Sequence, residues 1–158
     1  MAVRHVLIPA PPSAVWSVLC DGRKYQRWVV GPRTTEHMDD HWPEPGAAVR
    51  YRVGTPMWSF EGQTLVRACD PGERLELEAQ AGCLGSARIS IQLQPWGDGC
   101  LVVVDEHPLR GVGASAHNLA LEAVLNLRNR RMLKKLTEVV METHREETRQ
   151  ALSPEDRR

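Results

Sequence analysis

The sequence predicts an α+β fold in which a curved antiparallel sheet of about seven strands wraps around one long C-terminal helix. The helix is indicated by the segment from Ala114 to about Thr148, which contains no Gly or Pro, the residues that most often break helices. The sheet is indicated by alternating apolar and polar residues between Arg33 and His107, which turn signals divide into segments of strand length.

The N-terminal part of the chain predicts one strand and two short helices. Val3 to Ile8 has the composition of a strand. A helix follows at Pro11-Pro12-Ser13, because Pro suits the first turn of a helix and Ser can cap it. A second short helical turn spans Arg23 to Trp28. We expect these two helices to close one end of the sheet.

The alternating region assigns one row of side chains to the inner face of the sheet. Short turns such as Asp70-Pro71-Gly72 and Gly97-Asp98-Gly99 make neighbouring strands antiparallel. The segment from Leu101 to Val104 is apolar on both faces, so alternation does not decide its sides. The predicted inner row comprises Val49, Tyr51, Val53, Trp58, Phe60, Thr64, Val66, Leu75, Leu77, Ile89, Ile91 and Leu93.

The C-terminal helix has an apolar stripe that must be covered. At 100° per residue the stripe spans about 120°, which is typical of a core-facing side. The opposite side is apolar before Arg128 and basic from Arg128 onward, so we expect the second half of the helix to expose a basic face to water. The stripe contains Leu121, Leu125, Met132, Leu133, Leu136, Val139 and Val140, and the basic face contains Arg128, Arg130, Arg131, Lys134 and Lys135.

A sheet that curves around a helix in this way is the helix-grip arrangement. Where sheet and helix separate they leave a hollow, and concave, mostly apolar spaces are the usual sites for ligands. Polar residues on the inner arc of the helix, such as Asn129, need hydrogen-bond partners from a ligand or from the strand backbone. We expect the hollow to be lined by Tyr51, Trp58, Phe60, Thr64, Val66, Asn118, Leu121, Glu122 and Leu125.

Composition limits the kinds of partner. The 158 residues suit one domain over residues 1–148, with 149–158 as a disordered tail. A formal net charge of zero gives no electrostatic reason to expect nucleic acid, and no apolar run approaches the roughly 20 residues that span a membrane. Four scattered cysteines without a Cys-x-x-Cys pair are typical of reduced thiols in a cytoplasmic protein. We expect no cofactor, and a homodimer stays open.

Short motifs along most of the chain resemble a known superfamily. They are Ala14-Val15-Trp16-Ser17-Val18-Leu19 with Asp21, Tyr25-Gln26-Arg27-Trp28-Val29-Val30-Gly31, Asp39-Asp40 before Trp42-Pro43, Glu106-His107-Pro108 with Gly111, His117-Asn118 and Arg128-Asn129. From about Val3 to Val140 the chain is similar to the actinobacterial branch of the SRPBCC superfamily, the START-like and polyketide cyclase/dehydrase-like group. That resemblance implies the helix-grip fold. The superfamily includes polyketide aromatases and cyclases, lipid carriers, hormone receptors and chaperone activators, so it does not select one function.

Glu106 is the first candidate for proton transfer. If Val102 and Val104 face the helix, Glu106 shares their face and points into the hollow. A carboxyl group in an apolar pocket can act as a general acid or base, because desolvation disfavours its charged form. The alternative is a strand-end Glu that caps backbone groups or pairs with Arg110. His107 would then lie on the outer face.

His37 is the second candidate, within the run His37-Met38-Asp39-Asp40-His41. His and Asp are residue types that bind metals, and in a strand His37, Asp39 and His41 share a face. A Pro-rich turn follows immediately, however, and a solvated strand end explains the same residues. We predict no metal site.

The hollow and the resemblance leave three functions open. The first is an enzyme, a polyketide cyclase, aromatase or dehydratase in which Glu106 or His37 moves protons. The second is a carrier of a hydrophobic small molecule, polyketide-like or lipid-like, without chemistry. The third is an interaction module of the chaperone-activator kind. A convergent acid–base pair favours the first, a smooth apolar pocket the second, and a filled core with an exposed apolar patch the third.

Overall fold

The computed structural model describes residues 2–55, 57–80, 82, 85–110 and 119–152, with the backbone alone for residues 2, 32, 33 and 119–126. Seven strands and three helices follow one another within these residues. In chain order they are β1 (Ala2–Ile8), α1 (Pro12–Cys20), α2 (Tyr25–Trp28), β2 (Pro32–Met38), β3 (Ala48–Gly54), β4 (Ser59–Asp70), β5 (Arg74–Gln80), β6 (Ser86–Trp96), β7 (Gly99–Arg110) and α3 (Leu119–Leu152).

The seven strands form one sheet in the order β1-β7-β6-β5-β4-β3-β2. Every neighbouring pair is antiparallel. Short hairpins connect the strands from β3 to β7, the longer loop 39–47 connects β2 to β3, and the connection from β1 to β2 carries α1 and α2. The sheet curls around α3, and the predicted helix-grip fold is confirmed.

The core lies between the inner face of the sheet and α3. Leu75, Leu77 and Ile91 are buried on the sheet side, as the alternation predicted. The pairing also decides the sides of β7, because Val104 lies opposite Ile91 and therefore faces the core. The helix side of the core is supplied by Met132, Leu133, Leu136, Val139 and Val140, all of them buried.

The loop between β2 and β3 is anchored from both sides. The indole Nε1 of Trp42 donates a hydrogen bond to the carbonyl oxygen of Leu19 at 3.1 Å. The Asp39 carboxylate accepts one from the backbone N–H of Ala48 at 2.9 Å. The first bond holds the loop against the end of α1, and the second joins the start of the loop to the start of β3. α1 and α2 pack in turn against α3.

Trp58 is a correction to the predicted inner row, because its side chain is 82% exposed. It belongs to the turn between β3 and β4, where the backbones of Thr55 and Trp58 exchange hydrogen bonds of 2.8 and 3.1 Å. The strand begins only at Ser59, so the alternation does not reach Trp58. Phe60 is half-buried at the start of that strand.

The start of α1 and the end of α3 both differ from the prediction. Pro11 occupies the N-cap of α1 without any side-chain bond, so Ser13 does not cap it. The predicted start of the long helix at Ala114 lies outside the described residues. Its end lies beyond Thr148, because α3 continues to Leu152. No helix in the described ranges is long and apolar enough to cross a membrane.

The buried stripe of α3 can be tested at Leu136, which is 1% exposed. Replacing Leu136 by Ala should lower the free energy of unfolding by about 2–5 kcal/mol, because the substitution leaves a cavity between α3 and the sheet. The exposed neighbour gives the control: Lys135→Ala should change the free energy of unfolding by less than about 0.5 kcal/mol. Urea unfolding followed by circular dichroism measures both, and similar losses would contradict the assignment of the two helix faces.

Candidate functional site

Glu106 lies where its strand parity predicts, on the face of β7 that meets α3. It pairs across the sheet with Ile89 and Ala2, and its side chain is completely buried. Its Oε1 accepts a hydrogen bond from the Arg128 guanidinium, and the two groups form an ion pair. Its Oε2 is buried without a hydrogen-bond partner among the described residues. The partner of Glu106 is therefore Arg128 on α3, not Arg110.

The predicted position of the Arg128 side chain is also wrong. The sequence placed it at the start of a solvated basic face, but its side chain is only 33% exposed and its guanidinium turns inward to Glu106. Arg130, Arg131, Lys134 and Lys135 are exposed, as predicted. An arginine at the border between a buried and an exposed helix face can direct its long side chain either way. A buried carboxylate within reach decides the direction here.

Two tyrosines and a threonine form a hydrogen-bonded group on the same inner face. The Tyr25 hydroxyl donates to Thr64 Oγ1 at 2.7 Å, and the Tyr51 hydroxyl lies 3.1 Å from the same oxygen. Burial raises the pKa of both tyrosine hydroxyls, while the positive charge of Arg128 acts in the opposite direction on both. Because the hydroxyls stay protonated, each keeps a hydrogen to donate.

Tyr25 was not among the predicted site residues, although it contacts both Thr64 and Tyr51. Its ring lies 5.4 Å from Trp28 and 5.7 Å from Trp42 in edge-on contacts, and 6.1 Å from Tyr51 in a stacked one. The only signal in the sequence was its place in the Tyr25-Gln26-Arg27-Trp28 motif. A four-residue helix gives no periodicity from which an inward side chain can be assigned.

Asn129 is also completely buried, and neither its amide nitrogen nor its amide oxygen has a hydrogen-bond partner among the described residues. It follows Arg128 on α3, as one of the polar intrusions that the sequence indicated. We call these six residues the inner polar cluster: Tyr25, Tyr51, Thr64, Glu106, Arg128 and Asn129. The cluster occupies a core whose other members are almost all apolar.

His37 lies apart from this cluster. It pairs with Arg50 on the outer face of the sheet, where its side chain is 60% exposed and its Nε2 lies 3.3 Å from Asp39. His37 and Glu106 therefore point to opposite faces and do not converge. His107 is on the outer face too, where it contacts Asp105 at 2.8 Å. Within the part of the chain that the structure describes, no three His, Cys, Asp or Glu side chains are grouped as metal ligands would be.

The remaining predicted lining residues divide into two groups. Tyr51, Thr64 and Val66 are buried on the inner face. Asn118 and the side chains of Leu121, Glu122 and Leu125 lie outside the described residues, so the helix wall of the predicted hollow stays a prediction.

A groove of about 740 Å³ lies elsewhere, on the outer face of the sheet. Its side chains are mostly charged or amide-bearing, among them Arg50, Gln63, Gln80 and Arg110. These four follow one another across the strand pairing through Ser86, on the face turned away from α3. The outer groove is therefore distinct from the predicted apolar hollow.

Solved structures share this fold at low sequence identity. DynU16, from the dynemicin biosynthetic locus, is 17% identical with a TM-score of 0.65; the match covers 89% of this chain and 46% of that one, so this chain spans about half its length. The di-domain ARO/CYC protein StfQ from the steffimycin biosynthetic pathway is 12% identical with a TM-score of 0.67, covering 89% of this chain and 50% of StfQ. Ara h 8.0201 is 12% identical with a TM-score of 0.71, covering 89% and 97%. These likenesses establish the fold.

No curated protein matches the chain. A family model does: the one described as Activator of Hsp90 ATPase homolog 1-like protein matches residues 9–141. That range contains α1 and α2, β2 to β7, and α3 as far as Met141, and thus the whole inner polar cluster. The chain therefore belongs to the Activator of Hsp90 ATPase homolog 1-like family, within the SRPBCC superfamily.

Proposed function

We propose that this protein binds a hydrophobic small molecule, polyketide-like or lipid-like, between the sheet and the N-terminal half of α3. The observation that carries the proposal is the pair Glu106 and Asn129, both completely buried with polar atoms that lack partners among the described residues. Leaving a buried polar group without a hydrogen bond costs about 1–3 kcal/mol. A ligand that supplies the missing bonds recovers this energy, while its apolar part is covered by the core.

The unpartnered atoms indicate the polar group of the ligand. While the Glu106 carboxylate is ionised and paired with Arg128, its Oε2 can accept a hydrogen bond but cannot donate one. The amide of Asn129 can both donate and accept. A hydroxyl group, as in an alcohol, phenol or enol, offers one hydrogen and two lone pairs and so matches both residues. An ionised carboxylate would face Glu106 Oε2 as a like charge.

A ligand with a hydroxyl group should therefore bind better than its carboxylate analogue. We expect 2-naphthol to bind about tenfold or more tightly than 2-naphthoate, because only the hydroxyl can donate to Glu106. Glu106→Gln should remove most of this difference. Asp105→Asn, one residue away on the outer face, should preserve it. Fluorescence titration of both compounds into the unaltered protein and the two variants measures the six dissociation constants. Absence of binding by both compounds would contradict the proposal and favour the interaction module.

The Glu106–Arg128 pair has its own consequence for stability. Arg128→Met should lower the free energy of unfolding by about 3 kcal/mol, because it leaves the buried Glu106 carboxylate uncompensated. Adding Glu106→Gln to that variant should restore much of the loss, since no buried charge then remains. Urea unfolding of both variants and of the exposed control Arg131→Met provides the measurement. If adding Glu106→Gln did not restore the lost stability, the effect of Arg128→Met would not come from an unpaired Glu106 carboxylate.

The same carboxylate would serve a cyclase or dehydratase, and Glu106→Gln separates an enzyme from a carrier. If the bound molecule is converted, replacing the Glu106 carboxylate by an amide should lower turnover by about 100-fold or more, well beyond the roughly tenfold change in affinity expected for a hydroxyl ligand. In a carrier the substitution changes affinity modestly and there is no turnover to lose. Native mass spectrometry of the purified protein, followed by incubation with the molecule it carries, provides the substrate and the assay.

A further inference from the structure

The two edge strands of the sheet are built differently. β2 begins at Pro32 and pairs with β3 through two register shifts, and both features disturb the row of backbone groups that another strand would need. β1 pairs with β7 in unbroken register from Ala2 to Ile8 and contains no proline. No other strand among the described residues pairs with β1. It presents a regular open edge about 23 Å long.

A groove of about 660 Å³ runs along this edge, between β1 and α3. Its strand wall is formed by residues Val3 to Val6 and its helix wall by residues between Arg130 and Glu138. At about 3.3 Å per strand residue and 1.5 Å per helix residue, both walls are about 12–13 Å long. The groove therefore fits about four residues of extended chain.

Both walls of the groove carry basic side chains. Arg4 on β1 and Arg130 and Lys134 on α3 are among its lining residues, all of which the structure describes. Glu138 is the one carboxylate among them, and it lies 3.9 Å from Lys134. The floor is apolar, because Leu133 is buried beneath the exposed Arg130 and Lys134. Such a surface attracts acidic side chains.

On the other side of the β1 edge, two apolar residues flank the exposed His5, and Asp105 lies opposite Val3. Val3 and Leu7 are both exposed on the outer face. Leu7 lies opposite the half-buried Leu101, and Val103 is half-buried one step further along the same face. A strand added to β1 would place alternate side chains on these two faces. Its best sequence would alternate acidic residues, toward α3, with apolar residues, toward Val3 and Leu7.

We propose that β1 and α3 form a docking site for an extended segment of a partner protein, which adds to the open edge as an eighth strand with alternating acidic and apolar residues. Backbone hydrogen bonds to β1 supply affinity, and the two unlike faces supply specificity. The site does not depend on the ligand proposed above, because none of its residues belongs to the inner polar cluster.

The probe is the capped peptide acetyl-Glu-Val-Glu-Val-Glu-Val-amide, titrated into the full-length protein labelled with ¹⁵N. We expect amide shift changes confined to β1, its partner β7 and residues 130–138 of α3, with an affinity that falls as salt rises from about 50 to 500 mM. Two control peptides should not bind: one with Lys in place of each Glu, and one methylated on alternate backbone nitrogens. The methylated peptide keeps every side chain and lacks the donors for strand pairing.

Two matched double variants locate the site. Arg130→Glu with Lys134→Glu should weaken the peptide by about tenfold or more, since both reverse a charge in the groove. Arg131→Glu with Lys135→Glu changes the net charge equally, at exposed positions outside the groove, and should leave affinity within about twofold. Equal weakening by both pairs, or equal binding of the methylated peptide, would overturn the proposal. So would sedimentation as a dimer with protected β1 amides, because a second copy would then occupy the edge.

Discussion

A helix of 34 residues with one apolar side is stable in water only when another part of the protein covers that side. In this protein the covering surface is a single antiparallel sheet, which curls around the helix so that the edge strand β1 also contacts it. This requirement affects the rest of the fold. It reserves the inner faces of β3 to β7 for buried side chains, and α1 and α2 pack against α3 at the end of the sheet.

The inner polar cluster is notable because that interior is otherwise apolar. Glu106 and Arg128 come from β7 and α3, so their ion pair joins the two layers that the hydrophobic contacts hold together. Tyr25 and Tyr51 approach Thr64 from α2 and β3. Polar groups gathered from five elements and removed from water cost energy unless each is satisfied. Their retention in the core is the physical reason for placing the functional site there.

Periodicity predicted those parts of the structure that depend on local geometry. Strand parity placed Glu106 on the inner face, and helix spacing placed Leu133 and Leu136 in the core, because both rules follow from the backbone of a single element. Periodicity fails at element ends, as at Trp58, where a turn replaces the strand. It also fails for long side chains such as Arg128, whose direction is decided by a partner 22 residues earlier in the chain.

Rules of periodicity within one element could not predict the inner polar cluster as a whole. Tyr25 reaches Thr64 across a separation of 39 residues, and only the complete fold shows that their oxygens meet. The acidic run around Asp39 illustrates the opposite case. It suggested metal chemistry from residue types alone, whereas the Asp39 carboxylate accepts a backbone N–H and anchors the loop before β3. Residue types indicate which bonds are available, and tertiary geometry selects among them.

The difference between the two sheet edges limits how many molecules can join by strand pairing. An assembly grows without end only if every added unit presents a fresh acceptor edge on its far side. Here β1 is regular while β2 is broken by register shifts, so a molecule joined through β1 has no equivalent edge to offer the next one. Association through the proposed β1 site would therefore end after one step, as a closed complex of fixed stoichiometry rather than a fibre.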